Sequence, residues 1–141
     1  MAESEPLSEE QLKQLKAALG RVPFAQLLGI ELIGAAQGTV KLGLVIKDEL
    51  RQVHGVMHGG ATASLIDTAT AFAILPLMEA GKRFSTVDLM VNYLRPLKQG
   101  NVTVEARVVR LGRRLITVAA DVFDEDGKLS ATAISTYAKL E

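Results

Sequence analysis

HGVMHGGATASLID, residues 54–67, holds both histidines of the chain, a glycine pair and a carboxylate. It decides the fold because loop becomes helix inside it. From His58 to about Leu75 the residues are mostly Ala, Thr, Leu, Ile and Phe, apolar nearly all round. Such a helix is normally surrounded by protein on most sides. Pro76 should end or kink it at Leu75, since proline removes an amide and crowds the preceding turn.

Upstream, Ser8-Glu9-Glu10-Gln11 has the form of a capping box, with Leu7 and Leu12 at the staple positions. A short helix over about residues 8–19 follows, with Leu12, Leu15 and Leu19 on one stripe and Gly20 at its end. Pro23 to Leu28 adds another helical turn. Strand-like residues run from Ile30 to Ile46 and break near Gly34–Gly38, with Val40, Leu42, Leu44 and Ile46 alternating with polar or small residues. Residues 47–57 read as a loop.

Downstream the chain is strand after strand. Thr86–Leu94 stops at Arg95-Pro96, and Val102–Leu111 leads into Gly112-Arg113-Arg114. Leu115–Phe123 turns at Asp124-Glu125-Asp126-Gly127, a hairpin signal, and Leu129–Leu140 closes the chain. The pattern is α+β: a curved antiparallel sheet around one long helix, with the last four strands read as a meander. With no internal repeat and no linker, residues 1–141 read as one domain.

Composition narrows the function. The 141 residues carry 16 Lys and Arg against 16 Asp and Glu, a formal net charge of zero. A nucleic-acid surface would need a basic excess. Cysteine is absent, which excludes disulfides, thiol nucleophiles and thiolate metal sites. The acidic, polar N-terminus lacks an apolar signal region, so the expectation is a cytoplasmic protein. The apolar runs flanking Asp67 contain Gly59, Gly60, Pro76 and many threonines and alanines, a poor composition for a membrane span.

Three readings compete for the central stretch. Histidines at i and i+4 can chelate zinc on a helix. Here Gly55 lies between His54 and His58, Gly59-Gly60 follows, and no third ligand stands at a suitable spacing, so no metal is expected. The glycine pair serves either a tight strand-to-helix turn or a close approach of backbone to ligand, where helix N-terminal amides can hold an oxyanion. Asp67 has Ala63, Ser64, Thr70 and Ala71 as its helical neighbours, and no cation among them. It is either a structural carboxylate bonded to Ser64 or Thr70, or a functional one.

Geometry sharpens this choice. Nine helical residues separate His58 from Asp67, about 13 Å along the axis and opposite in azimuth. The two cannot meet at one atom within a single chain. If both serve one site, that site lies between two subunits.

Gln52-x5-His58-Gly59-Gly60 followed by Ser64-Leu65-Ile66-Asp67, with Tyr93-Leu94-Arg95-Pro96 at a strand end, resembles the hotdog-fold thioesterases of the PaaI type. The resemblance runs from about Leu27 to the C-terminus. It implies hydrolysis of acyl-coenzyme A or related thioesters by a homodimer or a homotetramer built as a dimer of dimers, with no cofactor beyond the coenzyme A of the substrate. Carried over by position, Asp67 is the general base or nucleophile and the Gly59 amide the oxyanion donor. Gln52 positions water or the thioester carbonyl, and His58 orients the loop or contacts that carbonyl. Thr86, or its neighbour Ser85, assists the attacking water. The basic turn Gly112-Arg113-Arg114, with Arg95, offers cations for the coenzyme A phosphates; an ordinary solvated hairpin explains the same residues. His54 matches no catalytic position of the family and is expected near the site entrance. Phe72, Met78 and Met90 are candidates to line an apolar acyl tunnel, or are plain core. A non-catalytic acyl-CoA binder would be expected to lack the acid or the HGG. A hotdog dehydratase or hydratase would carry a different approach to the histidine than Val56-Met57.

Overall fold

The computed structural model describes residues 4–141. Its first helix starts where the sequence places a cap. The Ser8 hydroxyl accepts from the Gln11 amide at 3.1 Å, and the Gln11 side chain accepts from the Ser8 amide at 2.9 Å. Helix α1 (Glu9–Gly20) buries Leu15 and Leu19 and passes through Arg21 into α2 (Pro23–Leu28). The left-handed C-terminal residue falls at Gly29, φ 74°, rather than at Gly20. Only glycine adopts that conformation without a Cβ penalty.

Strands β1 (Glu31–Ala36) and β2 (Thr39–Val45) form a hairpin across Gln37-Gly38, a tighter turn than the sequence suggests. The turn falls at the Gly38 end of the break read near Gly34–Gly38, while at its Gly34 end the strand continues through a register shift between Leu32 and Gly34. The loop after β2 contains a short 3₁₀ turn (Asp48–Leu50) and a bridge between Arg51 and Met57. Helix α3 (Gly59–Ile74) is 16 residues long, and a 3₁₀ turn (Leu75–Leu77) takes the chain through Pro76. The segment Gly59–Leu77 is long and apolar enough to cross a membrane. Instead, Leu65, Ile66, Ala69, Phe72 and Ala73 pack into the concave face of the sheet. Full burial of each large side chain contributes roughly 1.5–3 kcal/mol.

The remaining strands are β3 (Arg83–Tyr93), β4 (Asn101–Leu111), β5 (Leu115–Phe123) and β6 (Leu129–Leu140). One six-stranded sheet results, in the order β1-β2-β4-β5-β6-β3, and every pairing is antiparallel. The expected four-strand meander is therefore corrected. Only β4-β5-β6 follow one another in space, while β3 leaves the run and pairs with β6 at the far edge. The connection from β3 to β4 crosses the end of the sheet and is tied down there. The Met57 amide donates to the Leu97 carbonyl at 2.8 Å, and Leu97 is buried.

The two sheet edges differ. Strand β1 is short, bulged and bridged by Pro6 at Ala36, all features that discourage further pairing. Strand β3 is 11 residues long, and no strand pairs with its outer edge among the described residues. Val87, Met90 and Tyr93, along with Leu94 just past its end, stand more than half exposed.

Candidate active site

Asp67 sits midway along α3 on a half-buried stripe of small residues that includes Ala63, Ser64 and Ala71. Its Oδ1 accepts from the Thr86 hydroxyl at 2.9 Å and lies 3.2 Å from the Tyr137 hydroxyl. The Tyr137 hydroxyl also lies 2.9 Å from the Asp67 main-chain oxygen and 2.7 Å from Thr70 Oγ1. Oδ2 has no protein partner among the described residues. No buried side-chain polar atom is left unpartnered there, so Oδ2 is open to solvent. Neither Ser64 nor Thr70, the structural partners suggested by helical spacing, binds the carboxylate. Ser64 Oγ donates to the Gly60 carbonyl, and Thr70 Oγ1 reaches main-chain oxygens and Tyr137.

The hydroxyl on β3 belongs to Thr86. Thr86 is opposite Tyr137 on the concave face, whereas Ser85 is opposite Ala138 and faces away from the helix. Met90 lies opposite the exposed Ile134, also on the outer face, so it is no part of a tunnel beside Asp67. Phe72 is core, and Met78 lines a groove of about 520 Å³ between α1 and the turn that follows α3.

Tyr137 was not singled out by sequence reasoning. It is 2% exposed and fully hydrogen-bonded, with the Phe84 ring edge-on at 5.6 Å. Burial pushes its hydroxyl from 10.0 up to about 12, the hydrogen bond with Thr70 opposing and the Asp67 charge adding to the rise. The folded protein therefore holds this proton more tightly than the unfolded chain. The associated stability is complete below pH 10 and drains away as pH climbs toward about 12. Two pKa units correspond to a loss on the order of 2–3 kcal/mol across that window. Urea unfolding at pH 9 and pH 11.5 should show this loss in the native protein and a smaller one in Tyr137→Phe; equal losses would contradict it.

The N-terminus of α3 forms the second group. His58 is the N-cap, extended at φ −61° and ψ 135°, and its Nδ1 accepts from the Gly60 amide at 2.7 Å. Accepting at Nδ1 leaves the other ring nitrogen, Nε2, as the one that carries the proton in the neutral ring. The Gly59 amide has no acceptor among the described residues and carries the positive end of the helix dipole. Tyr93 donates from its hydroxyl to the Gly59 carbonyl at 2.8 Å. A Cβ on Gly59 would meet the Tyr93 ring at 3.4 Å. Gln52 turns its Oε1 to the His54 amide, which leaves its side-chain NH2 free to donate. Gln52, Gly59, Tyr93 and Arg95 line one cavity of about 260 Å³. His54 is an exposed loop residue.

These groups lie toward opposite ends of β3. Tyr93 pairs with Ala131 at the Gly59 end, and Thr86 pairs with Tyr137 toward the other. Gly59 and Asp67 stand eight helical residues apart, about 12 Å along the axis. The basic residues divide in the same way. Gly112-Arg113-Arg114 turns at the Asp67 end, where Gly112 is needed because a Cβ there would lie 2.5 Å from the Leu115 carbonyl oxygen. Arg113 and Arg114 are exposed and have no acidic partner among the described residues. Arg95 lies at the Gly59 end, where its amide donates to Ser130 at 3.1 Å. Among the described residues, no three His, Asp or Glu side chains converge as a metal site would require.

A carboxylate with one tethered and one open oxygen can accept a proton from water or attack a carbonyl. A free helix-terminal amide can hold the oxyanion that results. A curved antiparallel sheet wrapped around one central helix is the hotdog architecture. The sequence profile of the thioesterase superfamily matches residues 54–131, and the chain belongs to that family. Human acyl-coenzyme A thioesterase 13 is 32% identical over 120 residues, covering 83% of this chain and 85% of the relative. The proofreading thioesterase EntH of Klebsiella pneumoniae is 30% identical over 105 residues, 74% of this chain and 77% of its own. The PaaI protein of the E. coli phenylacetic acid degradation operon superposes with a TM-score of 0.86 over 96% of each chain. At 23% identity, that likeness speaks for the hotdog fold alone.

Proposed function

We propose that the protein hydrolyses acyl-CoA thioesters to the free acid and coenzyme A, at a site shared by two copies of the chain. The observation that carries this reading is the pairing of an open Asp67 Oδ2 with an unclaimed Gly59 amide. The unpaired edge of β3 supplies the means of bringing them together. A second copy pairing there about a two-fold axis near the middle of the strand continues the sheet. That rotation lays the Gly59 end of each chain beside the Asp67 end of its partner. It also covers Val87 and the small-residue stripe of α3. Further association of two such dimers follows from the family resemblance.

In this site the thioester carbonyl accepts from the Gly59 amide and the free NH2 of Gln52. Asp67 Oδ2 either removes a proton from an attacking water or attacks the carbonyl itself. In the first case the oxyanion collapses, the C–S bond breaks and the thiolate leaves, taking up the proton that Asp67 had accepted. In the second, the oxyanion collapses with loss of the thiolate to leave an acyl-aspartyl anhydride, which water cleaves to the free acid and Asp67, the thiolate taking up the proton that this hydrolysis releases. Arg113 and Arg114 flank the Asp67 side, where the phosphates of coenzyme A need cations. The first test is thiol release from a panel of aliphatic and aromatic acyl-CoAs, followed by carrier-protein thioesters. Release from acyl-CoA supports the proposal, and the best substrate defines the acyl class. Saturable acyl-CoA binding with no release from any thioester would sink it in favour of a binding protein.

A further inference from the structure

Three hydroxyls crowd around Asp67, and counting their hydrogens constrains what each can do. Thr86 donates to Asp67 Oδ1 at 2.9 Å, a charged acceptor preferred over the neighbouring Tyr137 oxygen, so its hydrogen is committed to the carboxylate. Tyr137 can donate to the Asp67 main-chain oxygen at 2.9 Å or to Oδ1 at 3.2 Å. Thr70 can donate to the Ile66 carbonyl at 3.0 Å, to the Asp67 carbonyl at 3.2 Å or to the Tyr137 oxygen at 2.7 Å. Donors prefer a charged acceptor, and in a buried setting that preference strengthens. With the carboxylate ionised, the arrangement that places most hydrogen on charge is a relay: Thr70 donates to Tyr137, and Tyr137 donates to Oδ1.

We propose that Tyr137, backed by Thr70, is a positioning residue that clamps Asp67 Oδ1 together with Thr86, leaving Oδ2 as the single oxygen that addresses substrate. This rests on the reading of Asp67 as the reactive acid. The hydroxyl reaches Asp67 from β6, seventy residues along the chain, and its one hydrogen lies within reach of both the carboxylate and the main-chain oxygen of that residue. Because burial keeps its proton in place well above neutrality, Tyr137 gives Asp67 a hydrogen bond and not a proton, and does not enter the proton balance of the reaction. A carboxylate free to rotate about its terminal bond would present either oxygen, in many orientations. Two donors on one oxygen remove that freedom before substrate arrives, and small errors in the placement of a reacting group are costly.

The test is steady-state thiol release, well below the melting midpoints, by the native protein, Tyr137→Phe, Thr70→Val, Thr70→Ser, Asp67→Asn and the double variant Asp67→Asn/Tyr137→Phe. Tyr137→Phe should lower kcat about tenfold, with KM changed less than about twofold, as expected for misorientation without loss of binding. In the Asp67→Asn background the same change should cost nothing further in kcat. Thr70→Ser should restore most of what Thr70→Val loses. A native kcat in Tyr137→Phe overturns the proposal, as does an equal fold-loss in both backgrounds, because the tyrosine would then act on the fold and not through Asp67. If Tyr137→Phe does not fold, the Thr70 pair decides, and a native kcat in Thr70→Val overturns the relay. Native activity in Asp67→Asn itself would instead remove the reading of Asp67 on which the relay depends.

Discussion

Asp67→Asn should lower kcat for thioester hydrolysis by about 10³-fold while the protein keeps its fold, within the range lost when a general base is removed. The asparagine side chain has the shape of the aspartate. Its carbonyl oxygen can occupy the Oδ1 position and go on accepting from Thr86 and Tyr137, which lie 2.9 and 3.2 Å away. What changes is the open position: an NH2 replaces Oδ2, and a donor can neither accept a proton from water nor attack a carbonyl. The variant therefore separates chemistry from structure more cleanly than Asp67→Ala, which also strands the two hydroxyls. The measurement is kcat alongside the thermal midpoint. A large fall in kcat with little change in the midpoint is the expected result. A kcat near that of the native protein, in either variant, would show that Asp67 is a structural carboxylate.

Much of this architecture was legible because its signals are local. The capping box at Ser8, the proline after Leu75 and the Asp124–Gly127 turn each act within a few residues, and the elements they bound start or stop where the spacing places them. The partner of β3 was not legible. Sequence neighbours among strands pair often enough to make a meander the default, and nothing inside Arg83–Tyr93 says that it will cross to β6.

The ambiguity between Ser85 and Thr86 has a similar cause. Counting back by twos from the half-buried Leu89 and Val91 would turn Ser85 toward the helix. The register shift between Thr86 and Asp88 adds one residue, Val87, and reverses that parity. A bulge of this kind re-aims a side chain, and alternation alone does not reveal it. Tyr137 did leave a trace: a polar-tipped aromatic among Ala131, Ala133 and Ser135 on a core face needs a partner for its hydroxyl. The identity of that partner, a carboxylate on a helix seventy residues earlier, is a tertiary fact.

Gly59→Pro should lower kcat by about 10²–10³-fold, the usual cost of losing one oxyanion donor. The site accepts this change on geometric grounds. Gly59 is the first helical residue of α3, where proline fits because the amide has no helical acceptor. His58, at φ −61° and ψ 135°, already has the extended conformation required before proline. Gly59→Ala is the matched control, since it keeps the amide and adds only a Cβ at contact distance from the Tyr93 ring. If proline and alanine reduce kcat equally, the amide is not the donor. Combining Gly59→Pro with Asp67→Asn then tests where the site lies. In a two-fold dimer with shared sites, a mixed pair carries one site with both lesions and one with neither. Random mixing of the two inactive proteins makes half the dimers mixed, so activity should return to about a quarter of the native value. Were both groups to act within one chain, every site in every mixture would carry a lesion, and no activity would return.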